Sequence, residues 1–188
     1  SLEVWPESPE IRAISEGYTN QNYRVVAAGK SYFARVAGDL PDHGVLRSNE
    51  AVCARQAAAE GIGPRVLYAQ DGILVTEAIE GSPLCEGQSL DSETVTDIAR
   101  LLGRLHRVVP SEAVAIADPI AACRRYLARV PNHLIVQSHG ARFREILDTA
   151  PDPSPTCFIH GDAFPENFID DGQRVWLIDW EYAGRGDP

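Results

Sequence analysis

The sequence predicts an α+β fold in two lobes, a small antiparallel-sheet lobe over residues 1–79 and a largely helical lobe over 80–188. Three observations carry this. Short β-branched and aromatic runs punctuated by glycine fill the first 79 residues. Beyond Glu80-Gly81-Ser82-Pro83 the apolar residues recur at helical spacing. Two short apolar runs then bracket the stretch Ile159-His160-Gly161-Asp162-Ala163-Phe164-Pro165-Glu166-Asn167-Phe168.

In chain order, residues 22–26 and 31–36 read as a hairpin with Gly29 in its turn. Ser48 is the expected N-cap of an Ala-rich helix running to Glu60, closed by Gly61 and Pro64. Residues 65–69 and 72–79 read as a second hairpin. Val95, Ile98, Leu102, Leu105 and Val109 share one helical face, and Pro110 ends that helix. Further helices are expected over 119–130 and 140–149, followed by a stiff Pro151–Pro155 loop. Strands over 156–159 and 174–180 form a late hairpin, with Asp170-Asp171-Gly172 as a turn between them.

Composition narrows the function. The formal net charge is −10, with no basic patch, which argues against nucleic acid as a partner. The four cysteines have neither zinc nor redox spacing, as expected of reduced thiols in a cytoplasmic protein. No apolar run approaches the roughly 20 residues of a membrane span, and the N-terminus lacks the pattern of a signal peptide.

The bracketed stretch carries the chemistry. His-x-Asp between apolar runs also suits a turn whose Asp caps backbone amides. Here, however, Asn167 follows Asp162, and a second apolar run ends in Leu177-Ile178-Asp179-Trp180-Glu181. Two strand ends thus deliver carboxylates with an Asn between them. Phosphoryl transfer requires one carboxylate to accept the proton of the attacking hydroxyl, and an amide oxygen with a second carboxylate to hold Mg²⁺. It also requires a cation on the phosphates. Lys30 sits in a turn, whereas Arg35 lies inside an apolar strand and needs a partner, for which Glu50 is the natural choice.

These segments resemble the choline/ethanolamine kinase branch of the aminoglycoside-phosphotransferase-like superfamily, whose fold is protein-kinase-like. The match comprises Tyr18-Thr19-Asn20-Gln21-Asn22-Tyr23-Arg24-Val25, Tyr32-Phe33-Ala34-Arg35-Val36, Glu50 and Gly61-Ile62-Gly63-Pro64. It continues through His160-Gly161-Asp162, Asn167 and Ile178-Asp179-Trp180-Glu181-Tyr182-Ala183-Gly184.

The resemblance implies ATP and Mg²⁺ as cofactors and a small cationic amino-alcohol, choline or ethanolamine, as substrate. It makes Asp162 the catalytic base and Asn167 and Asp179 the metal ligands. Arg35, oriented by Glu50, would hold the ATP phosphates. Ser15, Thr19, Asn20 and Asn22 belong to the loop over those phosphates, and Glu77 to Ile79 would meet the adenine. His160 would brace the catalytic loop. Tyr182 and Glu181 fall on the substrate side. Phe164, Trp176 and Trp180 read as packing or loop support, and Trp5 carries no signal.

An aminoglycoside or thiamine kinase and a catalytically silent nucleotide-binding relative are the alternatives, and a dimer is one option for the oligomeric state. Family members continue into further helices where this chain reaches Gly186-Asp187-Pro188. The expectation is therefore a lobe truncated at its C-terminus, with a substrate cage open on one side. Gly161 in place of the branch's frequent Asn reads as a minor change.

Overall fold

The computed structural model describes residues 4, 5, 7–14, 20–70, 72–85, 89–130, 133–151 and 156–187. Five antiparallel strands form one sheet: β1 (Glu10–Ile14), β2 (Gln21–Ala27), β3 (Lys30–Val36), β4 (Val66–Gln70) and β5 (Ile73–Glu77). Their spatial order is β1-β2-β3-β5-β4. The β2–β3 hairpin forms as expected around Ala28 and Gly29, whose φ values of 50° and 72° suit a tight left-handed turn. Strand β1 was not foreseen, because its residues are all exposed and it shows no buried alternation. Trp5 packs on Tyr32 with ring centroids 5.2 Å apart, against the cluster of Val25, Ala27, Ala34 and Val75.

Helix α1 (Arg47–Ala59) starts one residue before the expected N-cap. Leu46 occupies the cap position without a side-chain bond, and the Asp39 carboxylate accepts from the Arg47 amide at 2.7 Å instead of Ser48 capping the turn. Gly61, at φ 63°, ends the helix as expected.

Helix α2 (Ser92–Leu105) is capped by Asp91, whose carboxylate accepts from the Thr94 amide. Its buried stripe is narrower than the sequence suggests. Leu101 and Leu105 are buried, Ile98 and Leu102 pack beside them, and Val95 and Val109 are 52% and 85% exposed. The helix stops at Leu105, four residues short of Val109.

Helix α3 (Pro119–Arg129) begins at the expected Pro119, and the Asp118 carboxylate caps it. Helix α4 (Leu134–Thr149) begins six residues earlier than expected. Of the proline loop, residues 152–155 lie outside the described residues.

The late strands pair differently from the expected hairpin. Strand β7 (Cys157–Ile159) pairs with β10 (Gly184–Gly186). Strand β8 (Phe168–Asp170) pairs with β9 (Val175–Leu177) on one side and with the short β6 (Ser82–Pro83) on the other. Asp170-Asp171-Gly172 is therefore the turn of the β8–β9 hairpin. The Asp171 carboxylate accepts from the Gln173 and Arg174 amides. Phe158, Phe168, Val175, Leu177 and Trp180 join Cys53, Ala54 and Ala57 of α1 with Leu101 and Leu105 of α2 in one core. That core fixes α1 against the β7–β9 segments, and so fixes the residues that each carries. No helix among the described residues is long and apolar enough to cross a membrane.

Candidate active site

A cavity of about 440 Å³ lies beneath one face of the five-stranded sheet. Strand alternation supplies its roof: Asn22 and Arg24 on β2, Phe33 and Arg35 on β3, and Leu74 and Thr76 on β5 point the same way. Glu77 to Ile79 close one end, and Asn167, Ile169, Ile178 and Asp179 form the floor. Of the residues expected at the site, Asn20, Asn22, Arg35, Glu77, Ile79, Asn167 and Asp179 thus line one space. Asp162, Glu50, Glu181 and Tyr182 lie outside its lining. Ser15 and Thr19 lie outside the described residues.

The floor is built by two turns that hold each other. Asn167, at the end of a 3-10 turn (Pro165–Asn167), donates from Nδ2 to the Asp162 carbonyl at 2.8 Å and to its carboxylate at 3.2 Å. The Asn167 carbonyl accepts from the Ile178 amide at 2.9 Å. Asp179 follows at φ 65°, a left-handed conformation uncommon outside glycine. It turns the chain just past β9.

His160 is buried. Its Nε2–H donates to the Ile178 carbonyl at 2.8 Å, and its Nδ1 accepts from the Asp162 amide at 3.3 Å. That pair of roles specifies the neutral imidazole. Burial lowers its pKa from the ordinary value, against the pull of the Ile178 carbonyl and of the carboxylates of Asp179 and Asp162. The bracing role expected of His160 matches this geometry.

Burial raises the Asp162 carboxyl above its usual range. The Asn167 amide pulls it down, while Asp179 and Glu181 push it further up.

The expected partner of Arg35 is in place. Arg35 and Glu50 form a buried ion pair. The same guanidinium donates to Asp179 Oδ1 at 2.6 Å, so the cation of the roof reaches the floor.

Arg47, which sequence reasoning missed, extends the network. It donates to Glu50 and Glu181, each at 2.8 Å, and to Asn20 Oδ1 at 2.9 Å. Its only signal in the sequence is the i,i+3 spacing to Glu50. Glu181 therefore faces the two arginines, 2.8 Å from Arg47 and 3.8 Å from Arg35, while its backbone neighbour is Tyr182.

Tyr182 is 37% exposed, and burial raises its phenol pKa, with Glu181 adding to the rise. Phe164 is 64% exposed, so of the two roles expected of it, core packing does not occur. Trp180 does pack, stacked on Phe158 and edge-on to His160.

Gly161 is not the minor change that the sequence suggests. Its φ is 79°, and a Cβ there would lie 2.4 Å from the Tyr182 carbonyl oxygen. The Asp162 turn and the Tyr182 segment approach so closely that only glycine fits between them.

The curated protein LicA of Haemophilus influenzae is 26% identical over 187 residues, covering 92% of this chain and 53% of that protein. The chain thus spans about half the length of that relative. The crystal structure of choline kinase LicA from Streptococcus pneumoniae superposes with a TM-score of 0.71 at 26% identity, covering 94% of this chain and 66% of that one. A crystal structure of LicA in complex with AMP gives a TM-score of 0.66 at 25% identity, over 97% and 67% of the two chains. Residues 10–188 match the family described as phosphotransferase enzymes. By that match the chain belongs to the phosphotransferase enzyme family.

Proposed function

We propose that this chain carries the nucleotide site and catalytic loop of an ATP- and Mg²⁺-dependent kinase that phosphorylates a small amino-alcohol, choline or ethanolamine. The observation that carries the reading is the meeting of Arg35, Asn167 and Asp179 at one cavity, with Asn167 also hydrogen-bonded to the Asp162 carboxylate. The choline kinase and the AMP complex among the similar structures support the acceptor and the nucleotide.

The residues fit Mg²⁺. Asn167 commits its Nδ2 to Asp162, which leaves its side-chain oxygen Oδ1 for a cation, and Asp179 has one carboxylate oxygen beyond the one on Arg35. Two hard oxygen donors suit an ion whose other ligands are phosphates and water. Among the described residues no group of three or more His, Cys, Asp or Glu is placed to hold a metal ion by itself. When bound, Mg²⁺ would neutralise charge on the phosphate oxygens.

The chain's own residues would do the rest. Arg35, fixed by Glu50, holds a phosphate. The Glu77 and Ala78 amides already donate to the Arg65 and Ser31 carbonyls, so hydrogen bonds to the base fall to the Ile79 amide. Asp162 accepts the proton as the substrate oxygen bonds to the γ-phosphorus and the bond to the ADP oxygen breaks. Asn167 keeps that carboxylate pointed, so positioning and charge supply most of the acceleration. Tyr182 offers an aromatic face to a quaternary ammonium.

The test is ADP release from Mg·ATP with choline, ethanolamine, thiamine or an aminoglycoside, on this chain and on longer forms of the gene product. Stimulation by choline or ethanolamine alone is expected. Stimulation by another alcohol reassigns the substrate, and nucleotide binding without any stimulation identifies a silent relative.

A further inference from the structure

We propose that Arg47 is a positioning residue of the nucleotide site, acting through Asn20 and Glu181. The inference rests on the reading of the central cavity as that site.

Arg47 is buried and does not line the cavity. Its guanidinium joins four segments. Nε donates to the Gly38 carbonyl at 2.9 Å, Nη1 to Glu50 and Glu181, and Nη2 to Asn20. A planar fork reaches all four, whereas an ammonium is a single point charge.

Two consequences follow for atoms that do face the cavity. Arg47 takes Oδ1 of Asn20, which orients the amide so that its Nδ2 points toward Glu181, 3.4 Å away. Asn20 thereby holds a fixed place in the cavity wall.

Arg47 also neutralises Glu181. Arg35, Glu50, Arg47 and Glu181 form a buried ring of alternating charge, in which Glu181 is 2.8 Å from Arg47 and 3.8 Å from Arg35. Without Arg47, the Glu181 carboxylate would have Arg35 as its remaining cation. It would then compete with Asp179, and with any phosphate, for that guanidinium. Arg47 thus keeps Arg35 available.

The test measures the affinity for Mg·ADP by calorimetry, alongside thermal unfolding, for the wild type, Arg47→Lys, Arg47→Met and Arg47→Met with Glu181→Gln. Arg47→Lys should keep the fold and weaken Mg·ADP about tenfold. Arg47→Met should weaken it at least as much, and adding Glu181→Gln should recover part of that loss. A merely structural arginine would show the rescue in thermal unfolding alone and not in the Mg·ADP affinity of the folded variants.

If Arg47→Met fails to fold, Arg47→Lys with and without Glu181→Gln carries the same comparison. Wild-type affinity in folded Arg47→Lys, or a loss that Glu181→Gln does not relieve, overturns the proposal and leaves the nucleotide site standing. Failure of the wild type to bind Mg·ADP overturns the nucleotide reading and this proposal with it.

Discussion

Asn167 holds Asp162 at two points, donating from one nitrogen to the backbone carbonyl at 2.8 Å and to the carboxylate at 3.2 Å. The carboxylate is thereby aimed by a residue five positions later, and its other oxygen remains for a substrate hydroxyl. Burial raises the Asp162 pKa, so ionisation of this group is disfavoured in the folded chain relative to the unfolded one.

Asp162→Asn separates the two sides of that arrangement. The amide keeps an acceptor for Asn167 but has no basic oxygen. Phosphoryl transfer should fall about 10²- to 10⁴-fold while Mg·ADP affinity holds within about threefold. The unfolding temperature should not drop, because the variant removes a charge that burial disfavours. Transfer at the wild-type rate would show that Asp162 is not the base.

Much of the candidate site was legible because its residues are chemically improbable where they stand in the sequence. Arg35 inside Tyr32-Phe33-Ala34-Arg35-Val36 demanded a carboxylate, and Glu50 is that carboxylate. Asp162, Asn167 and Asp179 declared themselves by type and spacing after apolar runs. Arg47 did not, since an arginine in a first helical turn looks like any solvated charge, and its burial depends on Asn20 and Glu181, 27 and 134 residues away. Strands β1 and β10 were missed for a related reason. Residues 10–14 bury no face, and Gly184-Arg185-Gly186 has no strand propensity, so backbone pairing alone makes them strands.

Glycine in place of the branch's frequent Asn reads as minor in the sequence, but the space around Gly161 is closed. Gly161→Ala places a Cβ 2.4 Å from the Tyr182 carbonyl oxygen on a backbone at φ 79°. One of the two segments must move, and both carry site residues. A loss of about 1–3 kcal/mol is expected, from strain and overpacking together. Activity in the surviving folded protein should fall with it. Chemical denaturation of the purified variant checks the first point, and a wild-type midpoint would mean that the Tyr182 segment yields freely.

His160 gives the chain a pH dependence whose sign follows from its burial. The folded pKa lies below the unfolded value of about 6.5. Above that value His160 is neutral in both states and its contribution to stability is complete. As pH falls below it, the unfolded chain takes up a proton that the folded chain refuses, so stability is lost toward the folded pKa. The slope from this one group is at most about 1.4 kcal/mol per pH unit. His160→Gln can still donate to the Ile178 carbonyl and has no such titration. Urea midpoints measured from pH 7.5 to 5.5 should therefore fall more steeply for the wild type than for His160→Gln. Parallel curves would mean that His160 takes up its proton in the folded chain, and the neutral imidazole linking Ile178 to Asp162 would have to be abandoned.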